Sequence, residues 1–386
     1  MAMTREVFVV GVGYTKIDRH FWKGDRELFA EAAWKAIEDS GNVLPKAIVV
    51  GNMTSSSLSE QDNFGALVAD YAGLSGRPAF KVEAACGSGG AAFYAAYALV
   101  ASGLVDVCLA GGVEKLTEQP TRRVTRALAY AAEEEYEVYY GASFTSLNAL
   151  IMRLYMEKFG VTREEMSEWP VLMHENGSQN PYAQLRFKIT KDQVANSVII
   201  ADPIRLLDAS PIGDGAAAVM IASEEVARKI TDTPVKVVGL GLATDNMYIA
   251  SREDLTVLKA TRKACGDALK MAKIELRNID VAEVHDAFSI VGVLDIEDLG
   301  FAEKGMGAKL LAEGRFRIGD KPVINPSGGL KSRGHPVGAT GIYQIAEITM
   351  QLRGDFPGLK VNGAEIGLAQ NVGGVGNTVS VVILRR

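Results

Sequence analysis

The chain opens on an apolar run with almost no charge, Val7-Phe8-Val9-Val10-Gly11-Val12-Gly13-Tyr14-Thr15, and a run of the same build returns from Val235 to Thr244. Short apolar runs of this kind predict buried strands, and the echo predicts an internal duplication. Behind each strand comes an Ala-rich segment, 28–40 in the first half and 255–272 in the second, whose apolar spacing predicts a helix. Near the end of each half a helix and a strand recur, at 90–102 then 105–112, and at 341–353 then 365–373. Asp106-Val107-Cys108-Leu109-Ala110 and Glu365-Ile366-Gly367-Leu368-Ala369 are especially alike. Strands alternating with helices predict α/β layers with largely parallel pairing. The halves divide as 1–233 and 234–386. An excursion at about 117–204, rich in charge, Tyr and Met, interrupts the first half alone. It is expected either to supply substrate loops and oligomer contacts or to form a solvated helical subdomain.

Composition narrows the function. With 386 residues, 48% hydrophobic and 23% charged, the chain has room for two domains and a large core. Lys and Arg total 41 against 47 for Asp and Glu, without a long basic block, which argues against nucleic acid or a membrane surface as partner. No stretch reaches the roughly 18 consecutive apolar residues of a membrane span, and no signal segment is evident, so a cytoplasmic protein is expected. The three cysteines lie far apart and are odd in number, which fits neither a disulfide framework nor a paired-thiol zinc site, and no metal is expected. Gly11-Val12-Gly13-Tyr14-Thr15-Lys16 has Lys16 where a dinucleotide fingerprint needs its third glycine, so no nucleotide redox cofactor is implied.

Reactive candidates are few. In Val82-Glu83-Ala84-Ala85-Cys86-Gly87-Ser88-Gly89-Gly90 a strand gives way to small residues and a helix starting near Gly89. Cys86 then stands at a helix N-terminus, where unpaired amides and the dipole favour the nucleophilic thiolate and the glycines leave room for an acyl group. The alternative is a buried structural cysteine. His335 sits in the Gly/Pro loop Gly334-His335-Pro336-Val337-Gly338-Ala339-Thr340-Gly341, placed to take a thiol proton or simply to occupy a turn. His285, at the end of the apolar run 279–284, either joins a thioester oxygen or is a core histidine tied to Asp286. The turn Gly373-Gly374-Val375-Gly376 can offer backbone amides to an oxyanion.

Taken together, these motifs resemble the thiolase superfamily in order and spacing: Cys-Gly-Ser-Gly at 86–89, His-Asp-Ala-Phe at 285–288, Gly-His-Pro-Val-Gly-Ala-Thr-Gly at 334–341 and the glycine turn at 373–376. The segment from Arg205 to Ala218 resembles the close of the thiolase first half, and the resemblance runs through the whole chain. Within the superfamily the chain resembles the archaeal and sterol-carrier-type acetoacetyl-CoA thiolases. The resemblance implies a duplicated five-layer αβαβα fold assembled as a homodimer or homotetramer. It also implies that Cys86 is acylated, that His335 activates it, that His335 and His285 form one oxyanion hole, and that the amides of Cys86 and Gly373 form another.

Acetyl-CoA C-acetyltransferase chemistry is the expectation, with acetyl-CoA and acetoacetyl-CoA as substrates and no further cofactor. A 3-ketoacyl-CoA thiolase for longer chains, a C-acyltransferase or a non-catalytic scaffold subunit are the alternatives. The resemblance further implies a place in isoprenoid synthesis, with HMG-CoA synthase and a small zinc-ribbon/OB-fold protein as partners. One departure stands out: thiolases carry a second cysteine where this chain has Asn371 or Ala287. A neutral amide is no base, so proton transfer falls to His285, His335 or another group. Arg122 and Arg123 are candidates for the CoA phosphates or are simply solvated.

Overall fold

The computed structural model describes residues 5–386. In the first half, strands β1 (Val7–Tyr14), β2 (Ala47–Gly51), β3 (Ala79–Val82) and β4 (Val107–Glu114) precede the excursion, which contains a small hairpin of β5 (Ile199–Ala201) and β6 (Ile204–Arg205). Strand β7 (Gly215–Ser223) closes that half. The second half contributes β8 (Val235–Thr244), β9 (Val281–Glu283), β10 (Val323–Ile324), β11 (Ile366–Gly373) and β12 (Thr378–Arg385).

All but the hairpin join one ten-stranded sheet in the order β10-β9-β11-β12-β8-β1-β7-β4-β2-β3. Counted outward from its centre, the sheet gives the same succession on each side: β1, β7, β4, β2, β3 against β8, β12, β11, β9, β10. The two echoing strands β1 and β8 are the central pair, antiparallel with Val9 opposite Val235, so the duplication read in the sequence is the symmetry axis of the fold.

Pairing is mixed, which corrects the expectation of largely parallel strands. Strands β4, β2 and β3 are mutually parallel, as are β11, β9 and β10, but β7 and β12 run against their neighbours. For β12 the reason is connection length. Residues 374–377 link β11 to β12, and so short a link can only fold the chain back antiparallel, whereas a parallel return needs a crossover of a dozen residues or more.

Helices complete five layers. The Asp25–Asp39 helix covers the outer face of the first half-sheet and the Lys259–Ala272 helix that of the second. Between the half-sheets lie the Ser88–Ala101 and Thr340–Arg353 helices, each touching strands of both halves and each other. Their side chains, including Phe93, Ala96, Ile342 and Ile345, form a central core with Val9 of β1, Ala110 of β4 and Val382 of β12.

Small residues permit this closeness. A Cβ on Gly90 would lie 1.9 Å from the Ser380 hydroxyl, and one on Gly341 would lie 2.4 Å from the Gly90 backbone nitrogen. The N-termini of the two central helices therefore meet, and the loops that lead into them converge.

Candidate active site

Cys86 occupies the first of these loops, between β3 and the Ser88–Ala101 helix. Ala85 before it has φ +52°, a left-handed conformation that costs a non-glycine residue on the order of 1 kcal/mol. Ser88 holds this turn closed: its hydroxyl accepts from the Ala84 amide at 2.9 Å and donates to the Ala85 carbonyl at 2.6 Å.

His335 stands in the second loop. That loop docks on the first half through Glu114, at the end of β4, whose carboxylate accepts from the Gly338 amide at 2.9 Å and from the Met53 amide at 2.9 Å. The His335 Nδ1 lies 2.7 Å from the Thr340 hydroxyl, which is also 3.3 Å from the Pro336 carbonyl.

His285 comes from the stretch after β9. Its amide donates to Gln370 Oε1 at 2.9 Å, while the neighbouring Val284 and Asp286 are pinned by the Asn325 side chain. Asp286 also accepts from Trp169 Nε1 at 2.9 Å and from the Leu330 amide at 2.7 Å.

The fold brings the three sequence candidates together: Cys86 Sγ and one nitrogen each from His285 and His335 all lie within 4.8 Å of one another. The two imidazole rings meet edge to face, with centroids 5.0 Å apart. Cys86 and His335 are 6% and 7% exposed. A cavity of about 400 Å³ is lined by Ala84 and Ala85, just before Cys86, by Gly373 and Gly374, and by Met53 and Tyr130. Cys108 and Cys265 are buried elsewhere, with thiols pushed up to about 12.

Burial decides the charge state of the trio. It pushes the Cys86 thiol up to about 12, with the Glu114 carboxylate adding to the effect. The amides of Cys86 and Gly374 directed at the sulfur pull the other way and are outweighed, so burial favours a neutral thiol at rest, against the thiolate that the helix end was expected to favour. Burial, and after it the Arg333 guanidinium, holds His335 down to about 3. The same burial, with His335 and Arg333 beside it, holds His285 well below the ordinary imidazole range. A protonated thiol is a poor ligand, although the trio is close enough to meet one soft cation.

Of the other sequence candidates, Gly373 packs on Ala84, where a Cβ would lie 2.2 Å from the carbonyl oxygen, and it is the Gly374 amide that joins Cys86's at the sulfur. Arg122 and Arg123 are exposed on the Thr121–Ala129 helix, Arg123 paired with Glu60, while Val124 and Ala127 on its inner side pack in one cluster with Cys86.

Several residues at the site escaped the sequence reading. Thr340, though inside the His335 motif, and Gln370 were given no role, because their partners are distant in the chain or fixed only by the loop's path. Trp169 lay in the excursion, which turns out to brace the site. Besides Trp169 on Asp286, Asn176 and Asn180 donate to the Asn325 and Ser327 carbonyls at 3.0 Å each, and the Leu185 amide donates to the Ser332 carbonyl at 3.0 Å.

Comparison with known proteins agrees with the geometry. A family model described as "Thiolase, N-terminal domain" matches residues 7–225, and one described as "Thiolase C-terminal domain-like" matches residues 241–386. The chain is 47% identical to an acetyl-CoA acetyltransferase of Methanothermobacter thermautotrophicus, over 99% of this chain and 100% of that one. It is 43% identical to an acetyl-CoA acetyltransferase of Methanocaldococcus jannaschii, over 98% and 99%. Among solved structures, the human mitochondrial 3-ketoacyl-CoA thiolase superposes with a TM-score of 0.76 at 20% identity, over 100% of this chain and 99% of that one. An "Ltp2-ChsH2(DUF35) aldolase" superposes with a TM-score of 0.86 at 22% identity, over 100% and 98%.

Proposed function

Because the chain belongs to the thiolase family, we propose that it is an acetyl-CoA C-acetyltransferase, joining two acetyl-CoA molecules into acetoacetyl-CoA and CoA or running that reaction in reverse. The observation that carries this reading is the meeting of Cys86, His285 and His335 within 4.8 Å, between two helix N-termini and next to a cavity lined by Ala84, Ala85, Gly373 and Gly374. The archaeal relatives named for this activity, similar along their whole length, support it.

In the proposed reaction Cys86 Sγ attacks the thioester carbonyl as its proton moves to His335, and CoA leaves with that proton. The acetyl group is then held on sulfur, with its oxygen facing the amides of Cys86 and of the 373–374 turn. A second acetyl-CoA loses a proton from its methyl group. The resulting carbon attacks acetyl-Cys86, and its enolate oxygen is stabilised by His285. Neutral thiol and neutral imidazole at rest mean that attack and proton transfer are coupled.

We further propose that the chain divides at 233/234 into two thiolase halves and works as a homo-oligomer in the cytoplasm. Condensation of acetyl-CoA is uphill, so the synthetic direction needs a consumer of acetoacetyl-CoA. HMG-CoA synthase, joined through a small zinc-ribbon/OB-fold protein, is the proposed partner, in the service of the mevalonate pathway. Exposed side chains on the excursion, Tyr139, Tyr140, Leu150 and Val198 among them, offer a docking face. Among the described residues no helix is long and apolar enough to cross a membrane.

Acetoacetyl-CoA thiolysis, followed by loss of the magnesium–enolate absorbance, tests the activity. Wild-type protein is expected to turn over and Cys86→Ala to show no turnover above background, since alanine offers no covalent carrier. Thiolysis by the alanine variant at near wild-type rate would refute the reading.

A further inference from the structure

Asn371 is the residue that the function leaves unused. It stands where a second thiol was expected, is buried, and touches three groups at the centre of the site. Its Oδ1 lies 3.1 Å from the Gly90 amide nitrogen, its Nδ2 lies 3.1 Å from the Cys86 carbonyl oxygen, and the same Nδ2 lies 3.0 Å from His285 Nδ1.

Two of these partners are backbone groups with fixed roles. An amide N–H only donates and a carbonyl only accepts, so the side-chain oxygen must face Gly90 and the side-chain NH₂ must face Cys86. Rotating the amide by half a turn would set donor against donor and acceptor against acceptor in a buried place, at a cost of about 1–3 kcal/mol for each group left unsatisfied. The second hydrogen of that NH₂ then points at His285 Nδ1, which has to accept it. A neutral imidazole that accepts at Nδ1 carries its proton on Nε2.

His335 is arranged the other way. If the Thr340 hydroxyl gives its hydrogen to the Pro336 carbonyl, it accepts from His335 Nδ1–H, and Nε2 is left with a free lone pair. Both Nδ1 atoms are thus occupied, and each ring presents Nε2 to the reacting groups: His285 as N–H, His335 as a base.

We propose that Asn371 is a positioning residue that locks His285 as a hydrogen-bond donor, leaving His335 as the one base for both proton transfers of the acetyltransferase reaction. The proposal rests on the acetyltransferase reading and replaces the second thiol in it. In acylation the Cys86 S–H proton passes to His335 Nε2 while Sγ bonds to the acetyl carbon, and the departing CoA sulfur takes that proton. In condensation His335 Nε2 takes a proton from the methyl group of the second acetyl-CoA, and the C–C bond forms to acetyl-Cys86. The C–Sγ bond then breaks, and Cys86 recovers the proton from His335. Each half-reaction returns His335 unprotonated, so no second thiol is needed.

Nitrogen NMR of the full chain labelled with ¹⁵N-histidine tests the assignment, because the chain has only 4 histidines and protonated and unprotonated ring nitrogens resonate far apart. His285→Gln and His335→Gln identify the two signals. The expected result is a His285 ring protonated on Nε2 and a His335 ring protonated on Nδ1. Asn371→Asp, whose carboxylate can only accept, should move the His285 proton to Nδ1. It should also slow condensation relative to Cys86 acetylation by on the order of 100-fold, as loss of an oxyanion donor does. An unprotonated His285 Nε2 in the wild-type chain would overturn the proposal, and that spectrum decides even if the aspartate variant does not fold. Unchanged His285 signals and an unchanged rate ratio in a folded Asn371→Asp variant would overturn it too. The tautomers are read without turnover, so a chain with both as expected but no acetyl group on Cys86 upholds the Asn371 assignment and contradicts the acetyltransferase reading instead.

Discussion

A thiol held near 12 and an imidazole held near 3 do not exchange a proton at rest. The site thus stores no thiolate–imidazolium pair, and in the proposed reaction the Cys86 nucleophile would form only while a substrate carbonyl is under attack. The pH dependence follows from the sign of the shift. Because the folded-state value of His335 is depressed, the ring stays unprotonated as pH falls through the ordinary histidine value of 6.5 and accepts a proton only near 3. The rate of Cys86 acetylation at low acetyl-CoA is therefore expected to be flat from about pH 5 to about pH 8, measured by quenched-flow mass spectrometry. An acid limb centred near the ordinary histidine value would contradict that electrostatic account. At this scale the sequence was informative where chemistry leaves a local mark: small residues around Cys86, and glycines and a proline around His335. The roles of Thr340 and Asn371 left none, since a hydroxyl or an amide acquires its role only from what the fold sets opposite it. Asn371 is the instructive case, because discarding it as a base was sound chemistry and said nothing about its worth as a donor.

Elements position the site through contacts that cross the duplication. The start of the Thr340–Arg353 helix is tied to the first half by Glu114 on Gly338, and the His285 segment is tied to the excursion by Trp169 on Asp286. Neither of the two expected roles for the excursion, substrate loops or a solvated subdomain, anticipated that its Glu168–Gly177 helix would buttress the 325–334 loop. Backbone carbonyls of that loop receive side-chain donors from it, and no pattern in either segment announces such a match. The strands that were read, β1, β4, β8, β9 and β11, were by contrast placed to within a residue or two, because an apolar run is a local property, whereas β2, β7 and β12 were not picked out. Strand direction was not legible, since it depends on which strands become neighbours. The bracing role makes a stability prediction. Trp169→Phe removes the indole N–H from the buried Asp286 carboxylate, whose proton affinity burial already raises to about 7. A lost hydrogen bond to a buried acceptor costs about 1–3 kcal/mol, so urea unfolding should show a loss in that range. Turnover should fall as well, although Trp169 touches no reacting atom. Unchanged stability and unchanged turnover would remove the excursion from the account of the site.

At the scale of the molecule, duplication explains why one reaction draws on residues from distant parts of the chain. The symmetry places the two central helices with their N-termini together, so the first half delivers the sulfur and the second delivers both histidines. An uphill condensation also bears on what the molecule meets. Co-expression with HMG-CoA synthase and the small zinc-ribbon/OB-fold protein, followed by size-exclusion chromatography, should give a common peak at low salt. Elution alone at every ionic strength would end the channelling proposal and leave the Cys86 chemistry intact. That chemistry is the central claim, and the acyl-enzyme is its most direct witness. Wild-type protein incubated with acetyl-CoA, quenched in acid and digested should yield the Cys86 peptide carrying one acetyl group, which disappears when free CoA is added before the quench. An unmodified Cys86 under saturating acetyl-CoA, with the acetyl group absent or on another residue, would contradict the account.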